Sequence, residues 1–188
     1  KKGLTPVTLA PKEGLALLNG TQVSTALLAR AVIRCQRLLD AAIIASALSM
    51  SAAQADIHPL DPRIHELRGL EGQCDVAKVL STLLNDHTKQ DKSATKQVQN
   101  PYSLRCQAQV VGACLTQMRY VAAVLQTEIN AVTDNPLVFA KSNEIISGGN
   151  FHAQAIGLAA DALAAAITTL ATIAERRIAL LLDPHFSG

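Results

Sequence analysis

The chain has 188 residues and a formal net charge of +2; 49% of its residues are hydrophobic and only 17% are charged. That length and apolar content suffice for one domain with a sizeable core. Lysine and arginine do not cluster with aromatic residues, which argues against nucleic-acid binding. No run of about 18 strongly apolar residues occurs, which argues against a membrane span. The apolar residues are mainly Ala, Leu, Ile and Val, a composition that favours packed helices.

The four cysteines, Cys35, Cys74, Cys106 and Cys114, form no CxxC pair and share no ligand spacing with the five histidines. We therefore expect reduced thiols in a cytoplasmic protein and no metal site. The high apolar fraction leaves apolar side chains exposed on the surface of a single chain, which predicts a homo-oligomer. Because the sequence starts at Lys1 rather than Met and both ends resemble loops, we expect a portion of a longer protein.

Helix breakers and periodicity divide the first half of the chain. Residues 1–13 contain two prolines and are predicted to form a loop, with a short helical turn over 13–18. A long helix is predicted over 21–52, a stretch without proline and with no glycine. Residues 53–69 contain two prolines and a glycine and are predicted to turn, and a helix over 71–84 follows.

The second half opens on a polar stretch, residues 85–101, which is predicted to be a long loop of the functional or disordered kind. The strongest helix prediction covers 103–132, where apolar residues recur at alternating spacings of four and three. The members of this seam are Leu104, Ala108, Val111, Leu115, Met118, Ala122, Leu125, Ile129 and Val132. A seam of this length fits a bundle helix or a subunit interface.

The motif TDNP at 133–136 is predicted to end that helix. Residues 137–139 and 144–146 are predicted to pair as a small hairpin. A last helix is predicted over 151–182, and its uncharged centre, 162–174, is expected to be buried on nearly all sides. These elements predict an all-α fold, a bundle of long helices with irregular loops.

Polar side chains gather in the irregular segments next to helix ends. Tyr102 and Arg105 are three residues apart and hence neighbours on a first helical turn. There an arginine can bind a carboxylate through two hydrogen bonds and a phenol can move a proton, although a structural role is the alternative. The glycine pair at 148–149 permits close approach of a ligand or simply makes a tight turn. Asn19, which precedes a glycine, is either a site residue or a turn residue.

Five motifs in a fixed order add to these patterns: LLNGTQ at 17–22, VQNPYSLRCQ at 98–107, TDNPL at 133–137, SGGNFH at 147–152 and ERRI at 175–178. With them the chain resembles the aromatic amino acid ammonia-lyase family over residues 13–188, and within it the enzymes that act on histidine. The resemblance implies a helical homotetramer whose active sites are built from several subunits. The implied reaction is the non-oxidative deamination of L-histidine to urocanate and ammonia. Alternatives are phenylalanine or tyrosine ammonia-lyases and aminomutases of the same family, or a helical oligomerisation scaffold without catalysis.

The resemblance also implies a cofactor. The family's electrophile is a methylidene-imidazolone ring, MIO, which forms from an internal Ala-Ser-Gly, and this chain contains no Ala-Ser-Gly. The resemblance therefore places that tripeptide before Lys1 and a further site carboxylate beyond Gly188. Residues 1–188 are then the central helical portion of the enzyme, and we expect this chain to be inactive by itself.

Five residues take site roles by the same resemblance. Asn19 would lie beside MIO and the substrate amine, and Tyr102 would handle a proton or position MIO. Arg105 would bind the substrate carboxylate. Gln99 would lie in the site, and Phe151 would pack near MIO.

Three positions depart from the family's usual pattern. Asn100 stands where the family often has Asp, Ala108 where it often has Pro, and Gln154 where it often has an acidic residue. Asn100 removes a negative charge near Tyr102 and Arg105, which bears on substrate preference and rate rather than on the fold.

Overall fold

The computed structural model describes residues 3–84 and 99–187. The predicted all-α fold is confirmed, because the described residues form helices and a single two-stranded hairpin. The helices are α1 (Glu13–Ala16), α2 (Gln22–Ala52), α3 (Pro62–Arg68), α4 (Glu71–Leu83), α5 (Tyr102–Arg105), α6 (Gln107–Glu128), α7 (Gln154–Leu182) and α8 (Pro184–Ser187). A short 3-10 turn (His58–Leu60) precedes α3, and β1 (Leu137–Phe139) and β2 (Glu144–Ile146) follow α6.

The three long helices, α2, α6 and α7, form a bundle in which α6 runs antiparallel to the other two. Ser46, late in α2, and Arg177, late in α7, both donate hydrogen bonds to Gln107 at the start of α6. Thr21, just before α2, donates instead to Glu128 at the end of α6. The start of α6 therefore lies beside the late parts of α2 and α7, and its end lies beside the start of α2.

The core lies between α2, α4, α6 and α7 and is almost wholly aliphatic. Its largest fully buried apolar side chains are Leu39, Met50, Val76, Leu80, Leu104, Val111 and Val121. Burying one such side chain contributes about 1.5–3 kcal/mol. The all-helical architecture follows from the alanine- and leucine-rich composition, since these residues favour helices and bury apolar surface along one stripe.

Two glycines let α4 approach α6 closely. A Cβ at Gly112 would lie 2.4 Å from the Cα of Gln73, and a Cβ at Gly72 would lie 2.5 Å from the carbonyl oxygen of Gly112. Beside this crossing Arg119 donates to Asp75 at 2.6 Å. The backbones meet here without an intervening side chain.

The prediction that residues 53–69 only turn is wrong, because they contain the 3-10 turn and α3. Pro62 occupies the first turn of α3, where no backbone N–H is needed, and the carboxylate of Asp61 accepts a hydrogen bond from the backbone N–H of Arg63 at 3.0 Å. A proline that looked like a breaker therefore starts a helix. Gly69, in the left-handed conformation with φ 71°, ends it.

The single helix predicted over 103–132 is divided in the structure. Cys106, with φ −99° and ψ 23°, separates the turn α5 from α6, and α6 ends at Glu128. The seam is buried at most positions up to Leu125, but Ala122 is exposed. Ile129 and Val132 are exposed because they lie beyond the end of the helix.

The last predicted helix is confirmed as α7, but the expectation that its centre is buried on nearly all sides is wrong. One stripe of α7 faces the core, formed by Ile156, Ala159, Leu163, Ala166, Leu170 and Ile173. Between 162 and 174 the remaining residues, mostly alanine and threonine, are largely exposed. Uncharged small residues fit an open face as well as a core, so the absence of charge did not distinguish the two.

The predicted hairpin is confirmed, with Leu137 opposite Ile146 in an antiparallel pair. Residues 85–98 of the predicted loop lie outside the described residues. In the described part of the chain, α6 and α7 are long and apolar enough to cross a membrane by length and composition. Core helices of soluble proteins meet the same criterion, and these two pack against each other, so the evidence for a span is weak.

Candidate functional site

The side chain of Asn19 is held by the turn that follows α6. Its Nδ2 donates to Oδ1 of Asp134 at 3.2 Å and to the carbonyl oxygen of Asn135 at 3.4 Å. Lys12 forms an ion pair with the same Asp134, and this contact, with further hydrogen bonds, lowers the pKa of Asp134. Since the amide nitrogen of Asn19 is occupied and no described residue donates to its Oδ1, that oxygen is left as an acceptor.

Gly20 allows the chain to reach this turn. Its φ is 109°, and a Cβ at this position would lie 2.6 Å from the carbonyl oxygen of Thr133. The backbone N–H of Thr21 donates to Oγ1 of Thr133 at 3.2 Å. Only glycine combines that backbone conformation with so close an approach. The glycine therefore fixes Asn19 against the turn.

Phe151 belongs to the same end of the bundle. The side chain of Asn150 donates to the carbonyl oxygen of Val132 at 3.2 Å, and the backbone N–H of Gly148 donates to Oδ1 of Asn135 at 2.7 Å. These bonds bring the segment before α7 to the turn that holds Asn19. Phe151 itself is 41% exposed. We call Asn19, Asp134, Asn135, Asn150 and Phe151 the Asn19 cluster.

The other three predicted site residues meet at the opposite end of α6. Nη1 of Arg105 donates to Oε1 of Gln99 at 2.7 Å, and Cζ of Arg105 lies 4.9 Å from the centroid of the Tyr102 ring. Tyr102 is 71% exposed. Nε of Arg105 is buried and has no hydrogen-bond partner among the described residues. We call Gln99, Tyr102 and Arg105 the Arg105 cluster.

The three departures have different structural settings. Oδ1 of Asn100 accepts a hydrogen bond from the backbone N–H of Asp56 at 2.7 Å, which ties the segment before α5 to the segment after α2. Ala108 is fully buried in the seam of α6. Gln154 is exposed at the start of α7. An aspartate carboxylate at position 100 could accept the same bond, so the local fold does not depend on the amide.

One chain does not bring the two clusters together. α6 has 22 residues, which at 1.5 Å per residue is about 33 Å. The Arg105 cluster precedes its first residue, and the Asn19 cluster surrounds the turn after its last. Within a single copy Arg105 and Asn19 therefore lie at opposite ends of the bundle.

A long apolar groove of about 540 Å³ runs between α2 and α7. Its lining includes Leu27, Ala31, Cys35, Gly157 and Ile167. Burial raises the pKa of the Cys35 thiol, which favours its neutral form. The groove carries almost no polar groups, so it suits an apolar surface rather than a charged substrate.

Sequence reasoning missed the residues that hold the predicted ones in place. Asp134 was identified as part of a helix stop and of the TDNPL motif but received no site role, although a carboxylate in such a motif is a signal. Gln107 belongs to the motif at 98–107, but nothing in the sequence indicated that it would be fully buried beside the apolar seam. In the described ranges, 3–84 and 99–187, no group of three or more His, Cys, Asp or Glu could hold a metal ion.

A long-helix bundle with an amide at one end and an arginine–tyrosine pair at the other agrees with the class that the motifs indicated. The chain belongs to the aromatic amino acid lyase family, because the sequence model of that family matches residues 1–188. The family resemblance drawn from the motifs is thereby confirmed.

Within this family the chain is similar to individual histidine ammonia-lyases. The chain is 52% identical to histidine ammonia-lyase from Photorhabdus laumondii and 53% identical to histidine ammonia-lyase from Salmonella heidelberg, over 189 aligned residues in each case. These alignments cover the whole chain but only 37% of each relative's length.

Solved structures agree on the fold. Histidine ammonia-lyase from Trypanosoma cruzi matches with a TM-score of 0.88 at 41% identity, covering 98% of this chain and 34% of that one. Phenylalanine aminomutase from Pantoea agglomerans matches with a TM-score of 0.90 at 29% identity, covering 98% of this chain and 39% of that one. Lyases and aminomutases thus share this helical arrangement.

Proposed function

We propose that this chain is the central helical part of a histidine ammonia-lyase, which converts L-histidine to urocanate and ammonia. The observation that carries the proposal is the identity of 52–53% to histidine ammonia-lyases over the whole chain. Among the solved structures the identity is 41% to a histidine ammonia-lyase, 35–36% to tyrosine aminomutases and 29% to the phenylalanine aminomutase. The Arg105 cluster supports it with groups suited to an amino acid carboxylate.

Arg105 is the proposed carboxylate ligand. Gln99 occupies Nη1 and the Tyr102 ring lies against the guanidinium, so the plane of the group is fixed. The edge formed by Nε and Nη2 is the one that Gln99 leaves free, and that edge matches the two oxygens of a carboxylate. Because Nε is buried in this single chain, a carboxylate reaches that edge only after the neighbouring residues move.

Asn19 is the proposed contact for the substrate amine. Its Nδ2 is occupied by Asp134 and Asn135, so its Oδ1 is left as the acceptor that we propose for an ammonium group. Asp134, which is paired with Lys12, holds the amide of Asn19 in place. Tyr102 supplies a hydroxyl that reaches solvent and can accept or donate a proton. Orientation by Arg105 and proton movement at Tyr102 are the contributions of this chain.

The family's electrophile, MIO, is proposed to come from polypeptide outside residues 1–188. When present it supplies the electron sink that activates the amino acid. The described residues fit such a ring, since Asn19 offers a neutral amide and Phe151 a partly exposed aromatic face at the same end of the bundle. The matched relatives are nearly three times as long as the chain, which leaves room for that part.

Assembly is the second element of the proposal. Because the Asn19 and Arg105 clusters lie about 33 Å apart along α6, a complete site needs a second copy in which the opposite end is presented. The groove between α2 and α7 and the open face of α7 offer apolar surface for such packing. We propose a homotetramer, as the family resemblance implies, located in the cytoplasm.

An assay of the full-length protein with L-histidine, L-phenylalanine and L-tyrosine tests the activity, because urocanate and the cinnamate-type products absorb differently. We expect ammonia and urocanate from L-histidine. Arg105→Ala is expected to raise KM for L-histidine about ten- to a hundredfold, the equivalent of one strong charge-assisted contact, with the fold retained. Arg119→Ala, which removes a surface arginine on α6, is the matched control.

Three results would contradict the proposal. A β-amino acid product would indicate an aminomutase. No turnover with any of the three amino acids would favour a scaffold without catalysis. An unchanged KM in Arg105→Ala would remove the arginine from the site.

A further inference from the structure

Arg177 is a charged side chain in the interior of the bundle. It lies in the last third of α7, is only 3% exposed, and its Nη1 donates to Oε1 of Gln107 at 2.9 Å. Its Nε has no hydrogen-bond partner, and none of the ion pairs among residues 3–84 and 99–187 includes it. Burial lowers the pKa of Arg177, in keeping with a guanidinium that lacks a counter-charge here.

Gln107 transmits this contact to the turn that carries the Arg105 cluster. It is fully buried, and its Oε1 also accepts a hydrogen bond from Oγ of Ser46 at 2.9 Å. Its Nε2 donates to the carbonyl oxygen of Ser103, in the middle of α5. One amide thus joins α2 and α7 to the backbone of the site turn.

The site turn depends on such a tie because it is not continuous with α6. Cys106 leaves the helical conformation, so α5 is a separate turn of four residues. Leu104 anchors it in the core, while Tyr102 on the opposite side is exposed. The bond from Gln107 to Ser103 is a side-chain hydrogen bond from α6 to the backbone of this turn, which also packs against α2, α6 and α7.

Stability does not explain an arginine at this position. A buried charge with incomplete partners is costly, and apolar replacements of similar volume are often neutral or stabilising. Without Arg177, Oε1 of Gln107 would still lie 2.9 Å from the hydroxyl of Ser46, whose single hydrogen it shares with the carbonyl oxygen of Ala42 at 2.6 Å. The buried arginine is therefore unfavourable for stability by itself. Its hydrogen bond to Gln107 connects it to the α5 turn.

We propose that Arg177 is a positioning residue: through Gln107 it fixes the α5 turn so that Arg105 meets the substrate carboxylate in one orientation. This inference rests on the proposed function. It adds a residue that touches no substrate and that none of the motif-based assignments included.

The test is Arg177→Met in the full-length protein. We expect KM for L-histidine to rise about tenfold or more, with a smaller change in kcat, because a displaced carboxylate ligand weakens substrate orientation. Inhibition by histamine, which lacks the carboxylate, is expected to stay unchanged. The melting temperature is expected not to fall. Arg176→Met is the matched control, since Arg176 is exposed and pairs with Glu175 next to it in sequence.

The outcomes separate the two proposals. A KM in Arg177→Met equal to that in Arg176→Met overturns the positioning role while leaving the proposed function intact. If Arg105→Ala also leaves KM unchanged in an active lyase, the proposed function of Arg105 fails first. If Arg177→Met lowers the melting temperature, the double variant Arg177→Met/Gln107→Leu removes both polar partners together. A raised KM in that folded double variant supports the tie to Ser103, and an unchanged KM overturns it.

Discussion

His65 shows how a single side chain can be ordinary in sequence and specific in the structure. No partner pattern marked it, yet it is 1% exposed and lies between two partners. Its Nε2 lies 3.1 Å from the carbonyl oxygen of Pro59, and its Nδ1 lies 2.8 Å from Nε2 of Gln73. A carbonyl only accepts, so Nε2 carries the hydrogen and Nδ1 accepts from the amide. The neutral ring thus joins the 3-10 turn to α4.

This arrangement predicts a pH-dependent stability. Burial lowers the pKa of His65 from its ordinary value of 6.5. Above about pH 6.5 the ring is neutral in both states and its contribution is complete. As the pH falls below 6.5 the unfolded chain takes up a proton before the folded chain does, so stability is lost until the pH passes the lowered value. We expect the free energy of unfolding in urea to fall over this range, and to fall less steeply in His65→Asn.

His152→Asn is the control for that measurement, because His152 is exposed near the start of α7. Its pH dependence should match that of the unaltered chain. Equal slopes in the His65→Asn variant and the unaltered chain would show that His65 titrates alike in the folded and unfolded states.

At the scale of elements, periodicity located the helices but not the detailed packing of each. The apolar seam predicted α6, and the uninterrupted stretch 21–52 predicted α2 to its last residue and within one residue of its first. Two predictions were wrong: that the helix and its apolar seam continue beyond Glu128, and that the centre of α7 is buried on nearly all sides. Periodicity records which residues can be buried, whereas the neighbouring elements decide which of them are.

Two helical glycines also show that the neighbouring elements decide the effect of a residue, and substituting each of them tests this. Gly112 in α6 and Gly157 in α7 are both helical glycines, but a Cβ at Gly112 meets the backbone of α4, while a Cβ at Gly157 meets nothing within 4 Å. We expect Gly112→Ala to destabilise the chain by about 1–3 kcal/mol through overpacking of two backbones. Gly157→Ala is expected to stabilise it by about 0.5–1 kcal/mol through helix propensity.

Chemical unfolding of both variants at one protein concentration, followed by far-ultraviolet circular dichroism, measures the difference. Equal effects of the two substitutions would mean that the close crossing of α4 and α6 does not determine the cost. A gain in stability for Gly112→Ala would contradict it directly.

At the scale of the whole molecule, the arrangement of α6 places the proposed site in two halves. Asn19 and Phe151 lie at one end of the bundle, and Gln99, Tyr102 and Arg105 at the other. The 85–101 loop, predicted beside the second half, is described only from residue 99 onward. Neither half holds both the proposed amine contact and the proposed carboxylate ligand, so we propose that a working site takes them from two associated copies.

Mixing two inactive variants tests this geometry. Asn19→Ala and Arg105→Ala are each expected to reduce lyase activity in the full-length protein. If each site takes its asparagine and its arginine from different copies, hybrid oligomers contain some sites in which both are intact. We therefore expect activity to reappear when the two variants are dissociated, mixed and reassembled, and to remain low when either is treated alone.

A mixture with no more activity than the sum of its parts would place both residues in one copy's site. Co-expression of the two variants, with purification through a different tag on each, gives the same comparison without dissociation. The double variant Asn19→Ala/Arg105→Ala mixed with unaltered protein is the reference, because its hybrids gain no site beyond those that the unaltered copies supply.

The sequence by itself determined the helical class, the places where helices and the hairpin occur, and the residues that resemble a lyase site. Composition, periodicity and local motifs record those properties because they depend on neighbours in the chain. Only the tertiary structure decided that Pro62 starts a helix, that Gly112 is a crossing point and that Arg177 is buried behind Arg105's turn. These depend on which distant segments come into contact, and Asn19 and Arg105 lie apart because a helix of 22 residues between their clusters cannot be shortened.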